Sequence, residues 1–263
     1  MKAPSRDTEE IASIRTAVRA LCADFPGEYW RKLDRERAYP TEFVDALTQA
    51  GFLAALIPEQ YGGAEFGHLE LAMIAYEVGR ALAPIPFGPS VYVATEALLR
   101  FGSDAQKNAW LPKLASGEIV GTFGLAEKPG QNTIAGVKAS VSSGKLSGTK
   151  LPVSDGAEAD IAVVAAVEGG DIGLYLVDLS GSGIEKTSLD SFDPSRAQAK
   201  LDFKGAACEK LGSCDADGIM HLLDCAAVLQ AFEQVGAAER AFEITHQFIL
   251  GRYAFGKPIG AFQ

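Results

Sequence analysis

Residues 103–120, SDAQKNAWLPKLASGEIV, mark the point where the chain changes its periodicity. Ser103 and Gln106 have the spacing of a capping box, which predicts a helix from there through Leu111. Near Gly117 the apolar repeat drops from about 3.6 residues to 2. Downstream, Val137, Ala139 and Val141 alternate with polar residues ahead of a Ser142-Ser143-Gly144 turn. Residues 161–166 and 173–177 are short apolar runs rich in β-branched side chains, and Leu201 and Phe203 alternate with Lys200, Asp202 and Lys204. Short strands separated by glycine turns predict a small antiparallel β-domain and not βαβ units. The absence of a strand–GxGxxG–helix pattern argues against a Rossmann dinucleotide site.

Upstream, helical spacing dominates. Ile11, Ile14, Val18 and Leu21 form one apolar stripe. Pro40 suits a first helical turn, with Phe43, Val44 and Leu47 facing inward before Gly51. A third helix is predicted over 68–82, carrying Leu69, Met73, Ile74 and Val78. Pro84, Pro86 and Pro89 interrupt it before a further helical stretch over 91–101. After Asp217 the chain is helical again, with Ile219, Leu222, Leu223, Leu229, Phe232, Val235, Phe242, Phe248 and Ile249 and no proline until Pro258. Apolar residues on so much of that helix's circumference call for partners on several sides, from another subunit or a longer chain. The expected architecture is α+β and multidomain. An N-terminal all-α helical domain (1–118) leads to a central small antiparallel β-domain (119–212) and the start of a C-terminal α-helical bundle (213–263).

The 263 residues carry 24 Lys plus Arg against 34 Asp plus Glu, a net charge of −10, which argues against general nucleic-acid affinity. No apolar run approaches the roughly 18 residues that span a bilayer, so no membrane segment is expected. The polar start MKAPSRDTEE does not read as a secretory signal. Cys22, Cys208, Cys214 and Cys225 lack zinc-type pairing and suit reduced thiols of a cytoplasmic protein. His68, His221 and His246 are too scattered for a metal cage and read as helix-surface or packing residues.

Three segments carry a resemblance: LIPEQYGGAEFGHLELAMIAYEVGRALAP (56–84), FGSDAQKNAWLPKLASGE (101–118) and GRYAFGKPIGAFQ (251–263). They are similar to the flavin-dependent acyl-CoA dehydrogenase family, and the order of helical, β and helical regions matches it. The resemblance implies an FAD cofactor between the β-domain and the C-terminal helices, with an acyl-CoA substrate against the flavin. A carboxylate takes the proton from the acyl α-carbon while a hydride leaves the β-carbon for the flavin. It also implies a homo- or hetero-oligomer, and an electron-transfer flavoprotein or oxygen as the electron acceptor.

By the same resemblance, Phe123, Leu125 and Ala126 line the flavin ring, and Ser154 hydrogen-bonds near its N5 atom. Arg252 and Gln263, with Phe255 packed beside them, reach the FAD pyrophosphate of a neighbouring subunit. Asn132 stands where a serine contacts acyl-CoA. Departures accompany these matches. Glu127 matches a family glutamate, but Lys128-Pro129-Gly130-Gln131-Asn132-Thr133 replaces a glycine-rich turn, and Pro152 replaces an aromatic residue against the flavin.

No residue qualifies as the catalytic base. The position that carries a glutamate in some relatives falls on Ala226, and a basic neighbour in others falls on Ala227. Asp224 points about 200° away around the helix, and Glu233 and Glu243 read as solvated or structural. Three readings follow: a dehydrogenase whose base lies outside these residues, a noncatalytic subunit sharing an FAD site in a heteromeric dehydrogenase, and a flavin-free structural or acyl-CoA-binding relative.

Overall fold

The structure is a computed structural model, and it describes residues 9–85, 87–131, 133–193 and 195–262. Its first part is helical: α1 (Glu9–Ala23), α2 (Gly27–Glu36), α3 (Thr41–Gln49), α4 (His68–Ala81), α5 (Glu96–Phe101) and α6 (Asp104–Ala115). The stripe of α1 buries Ile11, Ile14, Val18 and Cys22, with Leu21 only half-buried. The capping box at Ser103 is formed: its hydroxyl accepts from Gln106 N at 3.2 Å, and Ser103 N donates to the Gln106 side chain at 2.9 Å. The helix it starts continues past Leu111 to Ala115, with Pro112 inside it. The stretch expected as helix over 91–101 begins earlier, as π-helical turns over Phe87–Thr95 that run into α5.

Among the described residues, eight strands form one sheet: β1 (Gly121–Gly124), β2 (Ser140–Ser142), β3 (Lys145–Ser154), β4 (Ile161–Glu168), β5 (Asp171–Asp178), β6 (Ile184–Leu189), β7 (Gln198–Ala207) and β8 (Glu209–Lys210). The order is β6-β7-β3-β2-β4-β5-β8, with β1 also on β4. The purely antiparallel expectation is corrected here, because β1 and β2 both pair parallel to β4. Val137 lies before β2, directly after a 3-10 turn, so the alternation seen from 137 becomes ladder only at Ser140.

β4 is apolar from Ile161 to Val167 because both its faces are covered. Ile161, Val163 and Ala165 pack into the core shared with the helices, and Ala162, Val164 and Ala166 pack into a second core inside the sheet. The sheet is followed by α7 (Ala216–Gly251), started by Asp215, whose side chain accepts from Gly218 N at 2.9 Å. Beyond it, β9 (Tyr253–Ala254) and β10 (Lys257–Pro258) form a small hairpin. On α7, Val228, Val235, Phe242, Ile244, Phe248 and Leu250 are exposed. No helix among the described residues is long and apolar enough to cross a membrane.

Candidate active site

A cavity of about 530 Å³ opens where the π-helical turns, the sheet and α7 meet. Phe123 reaches it from β1, Ser154 from the end of β3, and Leu223, Ala226, Ala227 and Gln230 from α7. Tyr92 and Val93 contribute from the turns before α5, Asp155 and Arg196 from the loops flanking β3 and β7, and Gln198 from the start of β7. Ser154 Oγ and the Gln198 side chain lie within hydrogen-bonding distance, at 3.3 Å from the Gln198 amide nitrogen.

The sequence-matched residues fall into two groups. Phe123 and Ser154 share the cavity wall, whereas Leu125 and Ala126 follow β1 but lie outside the lining. Their carbonyls turn toward β3 instead: Leu125 O accepts from Lys150 Nζ at 3.0 Å, and Ala126 O from Leu151 N at 2.9 Å. Arg252 and Phe255 sit past the far end of α7, roughly 40 Å along the helix from Ala226. Both are exposed, and Phe255 packs edge-on against Phe262. Asn132 and Gln263 lie outside the described residues.

Glu127 is a staple for the loop that follows β1. Its carboxylate accepts from Lys138 N at 2.9 Å, from Ala139 N at 2.7 Å and from Lys150 Nζ at 2.8 Å. Burial opposes its ionisation, but the bonds from Lys150 and the two amides outweigh it and hold the carboxyl below the usual range. The ammonium group of Lys150 is fully buried, and that desolvation lowers its pKa against the pull of Glu127. Pro152, which offers no N–H, falls where the β3–β7 register shifts between Lys150 and Val153.

Two charged groups lining the cavity, Arg196 and Asp155, and Glu233 behind Arg196 carry no signal in the linear sequence. Arg196 pairs with Glu233, a buried carboxylate on α7 that the sequence reading allowed to be solvated or structural and that the fold makes structural. Asp155 is the only carboxylate among the described residues lining the cavity. Burial pushes its carboxyl up to about 6, with the positive charge of Arg196 opposing and Glu158 adding to the rise. The neutral form is thus favoured on folding, and the folded chain holds the extra proton between about 3.8 and 6. Stability should fall as pH rises through that window and stay lower above it. Asp155→Asn also tolerates the left-handed backbone at φ 54°. It should stabilise the protein above pH 6 by at most about 3 kcal/mol and do nothing near pH 4. Equal melting shifts at both pH values would contradict this.

These residues fit an FAD. The wall supplies an aromatic ring and a hydroxyl, as a flat polar-edged ring system requires. Arg252 has no carboxylate within ion-pair distance among the described residues, which leaves its forked donors open for an anionic group such as a pyrophosphate. The cavity offers no proton acceptor at Ala226, and Asp224 is exposed and outside the lining.

The family profile described as acyl-CoA dehydrogenase, N-terminal domain, matches residues 8–118. The acyl-CoA dehydrogenase FadE27 of Mycobacterium tuberculosis (strain ATCC 25618 / H37Rv) is 30% identical over 255 residues, covering 95% of this chain and 66% of that protein. The chain thus spans about two thirds of the length of that relative. An acyl-CoA dehydrogenase of Bacillus subtilis (strain 168) is 28% identical, with 97% and 72% covered. Among solved structures, the ChsE4-ChsE5 complex of Mycobacterium tuberculosis superposes with a TM-score of 0.88 at 28% identity, covering 98% of this chain and 71% of that one. A glutaryl-CoA dehydrogenase of Mycobacterium smegmatis gives 0.89 at 26% identity, with 98% and 70% covered.

Proposed function

Because the chain belongs to the acyl-CoA dehydrogenase family, we propose that it forms the amino-terminal and central parts of an FAD-dependent acyl-CoA dehydrogenase. The reaction is α,β-dehydrogenation of an acyl-CoA thioester. The observation that carries this reading is the shared cavity, which brings Phe123, Ser154 and the face of α7 around Ala226 to one place.

Bound FAD would supply the hydride acceptor. The chain's own part is placement. Ser154 offers a hydroxyl to the flavin edge and Phe123 an apolar wall, while Leu223 and Ala226 leave room for the acyl group. Arg252 and Phe255 serve the pyrophosphate of a neighbour, so the working unit is a homo- or hetero-oligomer. The similar ChsE4-ChsE5 protein is a complex of two components, which supports that direction. The proton acceptor comes from residues beyond these 263 or from a partner, since Ala226 has none to offer. Four cysteines without disulfides suit a reducing compartment such as the cytoplasm.

The test is FAD titration of the purified protein, followed by the visible bands of oxidised flavin. Wild type should retain the chromophore through gel filtration. Arg252→Ala should weaken FAD binding by roughly 10-fold or more, the worth of one charge-assisted contact. Its exposure means that melting without FAD should not move. A colourless protein under FAD excess would refute the reading.

A further inference from the structure

One wall of the cavity carries charge as well as apolar side chains, through Arg196 and Asp155. Arg196 donates to Glu233, and its other amino group lies 3.5 Å from the carbonyl of Ile85. Glu233 is 5% exposed and also faces the Tyr92 hydroxyl at 3.5 Å. It stands seven residues beyond Ala226, two turns along the same face of α7, or about 10 Å. Gln230 lies between them and lines the cavity.

Arg196 also lines the cavity, and its side chain is 39% exposed. A guanidinium has five N–H donors, and the two contacts above leave others for a ligand. Glu233 cancels its charge, and Asp155 adds a carboxyl to the same wall. A plain alkyl chain packed against Arg196 would strip water from those donors and return nothing. A terminal carboxylate would be set beside Glu233 and Asp155.

Resting on the reading of this cavity as an acyl-CoA site, we propose that it selects acyl groups bearing a neutral oxygen acceptor, a hydroxyl or ketone, that can reach Arg196. Arg196 is the specificity-determining residue, and Glu233 positions it.

Calorimetric titration of the purified protein with octanoyl-CoA, its ω-hydroxy analogue and its ω-carboxy analogue tests this. Wild type should bind the ω-hydroxy ligand about 10-fold tighter than octanoyl-CoA, and the ω-carboxy ligand most weakly. Arg196→Met combined with Glu233→Leu removes both charges together, so neither is left unpaired. It should lose the hydroxyl preference and gain affinity for octanoyl-CoA. Arg196→Lys, which keeps the ion pair but not the fork, should reduce the preference and serves if the double variant does not fold. Octanoyl-CoA bound as tightly as its hydroxy analogue by wild type, or a preference unchanged in the variants, would overturn the proposal alone. A folded protein that binds none of the three ligands would overturn the acyl-CoA reading and this proposal with it.

Discussion

Gly236→Ala is expected to destabilise the protein by about 3 kcal/mol or more, through overpacking at a helix crossing. A Cβ on Gly236 would lie 2.0 Å from the carbonyl oxygen of Tyr76 on α4, and one on Gly79 would lie 2.0 Å from that of Glu233 on α7. Both obstacles are backbone, so no side chain can turn aside and the helices themselves must separate. An interior helical glycine ordinarily costs up to about 1 kcal/mol against alanine. Two facing glycines therefore trade local propensity for close approach. Separation would also strain Arg80, which ties α4 to α7 through Glu243 at 2.7 Å and Glu239 at 3.5 Å. The consequence reaches the cavity, because Gln230, Glu233 and Ala226 ride on α7. Gly251→Ala is the control: it ends the same helix with nothing within 4 Å of its Cβ position, and it should be neutral or mildly stabilising. Thermal unfolding of the two variants beside wild type decides the matter. Indistinguishable Gly236→Ala and Gly251→Ala proteins would show that the crossing is not tight.

What could be read from sequence was whatever local chemistry fixes by itself. The Ser103–Gln106 reciprocal bonds, the stripe of α1 and the apolar run of β4 depend on residues a few positions apart. Each appears in the structure close to where its pattern stood. β3 was invisible because KLSGTKLPVS lacks alternation, and its buried lysine makes sense only once Glu127 stands opposite. β6 was missed for the opposite reason: IEKTSL is largely exposed and buries too little apolar surface to show a period. The site divides in the same way. Phe123 and Ser154, which line the cavity, were singled out through motif resemblance, whereas Arg196, Glu233 and Asp155 come from three segments that only the fold brings together. No spacing rule links an arginine before β7 to a glutamate in the middle of α7.

Lys150→Met should be among the most damaging single substitutions in the β-domain, at about 3–5 kcal/mol, because it breaks a buried ion pair and leaves its partner behind. The ammonium is wholly buried and reaches both Glu127 and the carbonyl of Leu125. Without it, Glu127 keeps its two amide donors but loses the cation that offsets its burial, and the loop over 127–138 loses its anchor to β3. The pH dependence follows from sign. The Glu127 carboxyl is lowered from 4.5 in the folded chain, so its contribution is present above that value and lost as pH falls through the folded value. Removing Lys150 should raise the folded pKa and move acid unfolding to higher pH. Glu127→Gln combined with Lys150→Met removes both charges and should recover much of the loss, since replacing both partners is far milder than orphaning one. A double-mutant cycle by denaturant unfolding separates the possibilities. Losses that simply add would mean that the two groups act independently. A strongly favourable coupling would identify the pair as the clamp that holds the loop after Phe123, and with it the cavity wall, against the sheet.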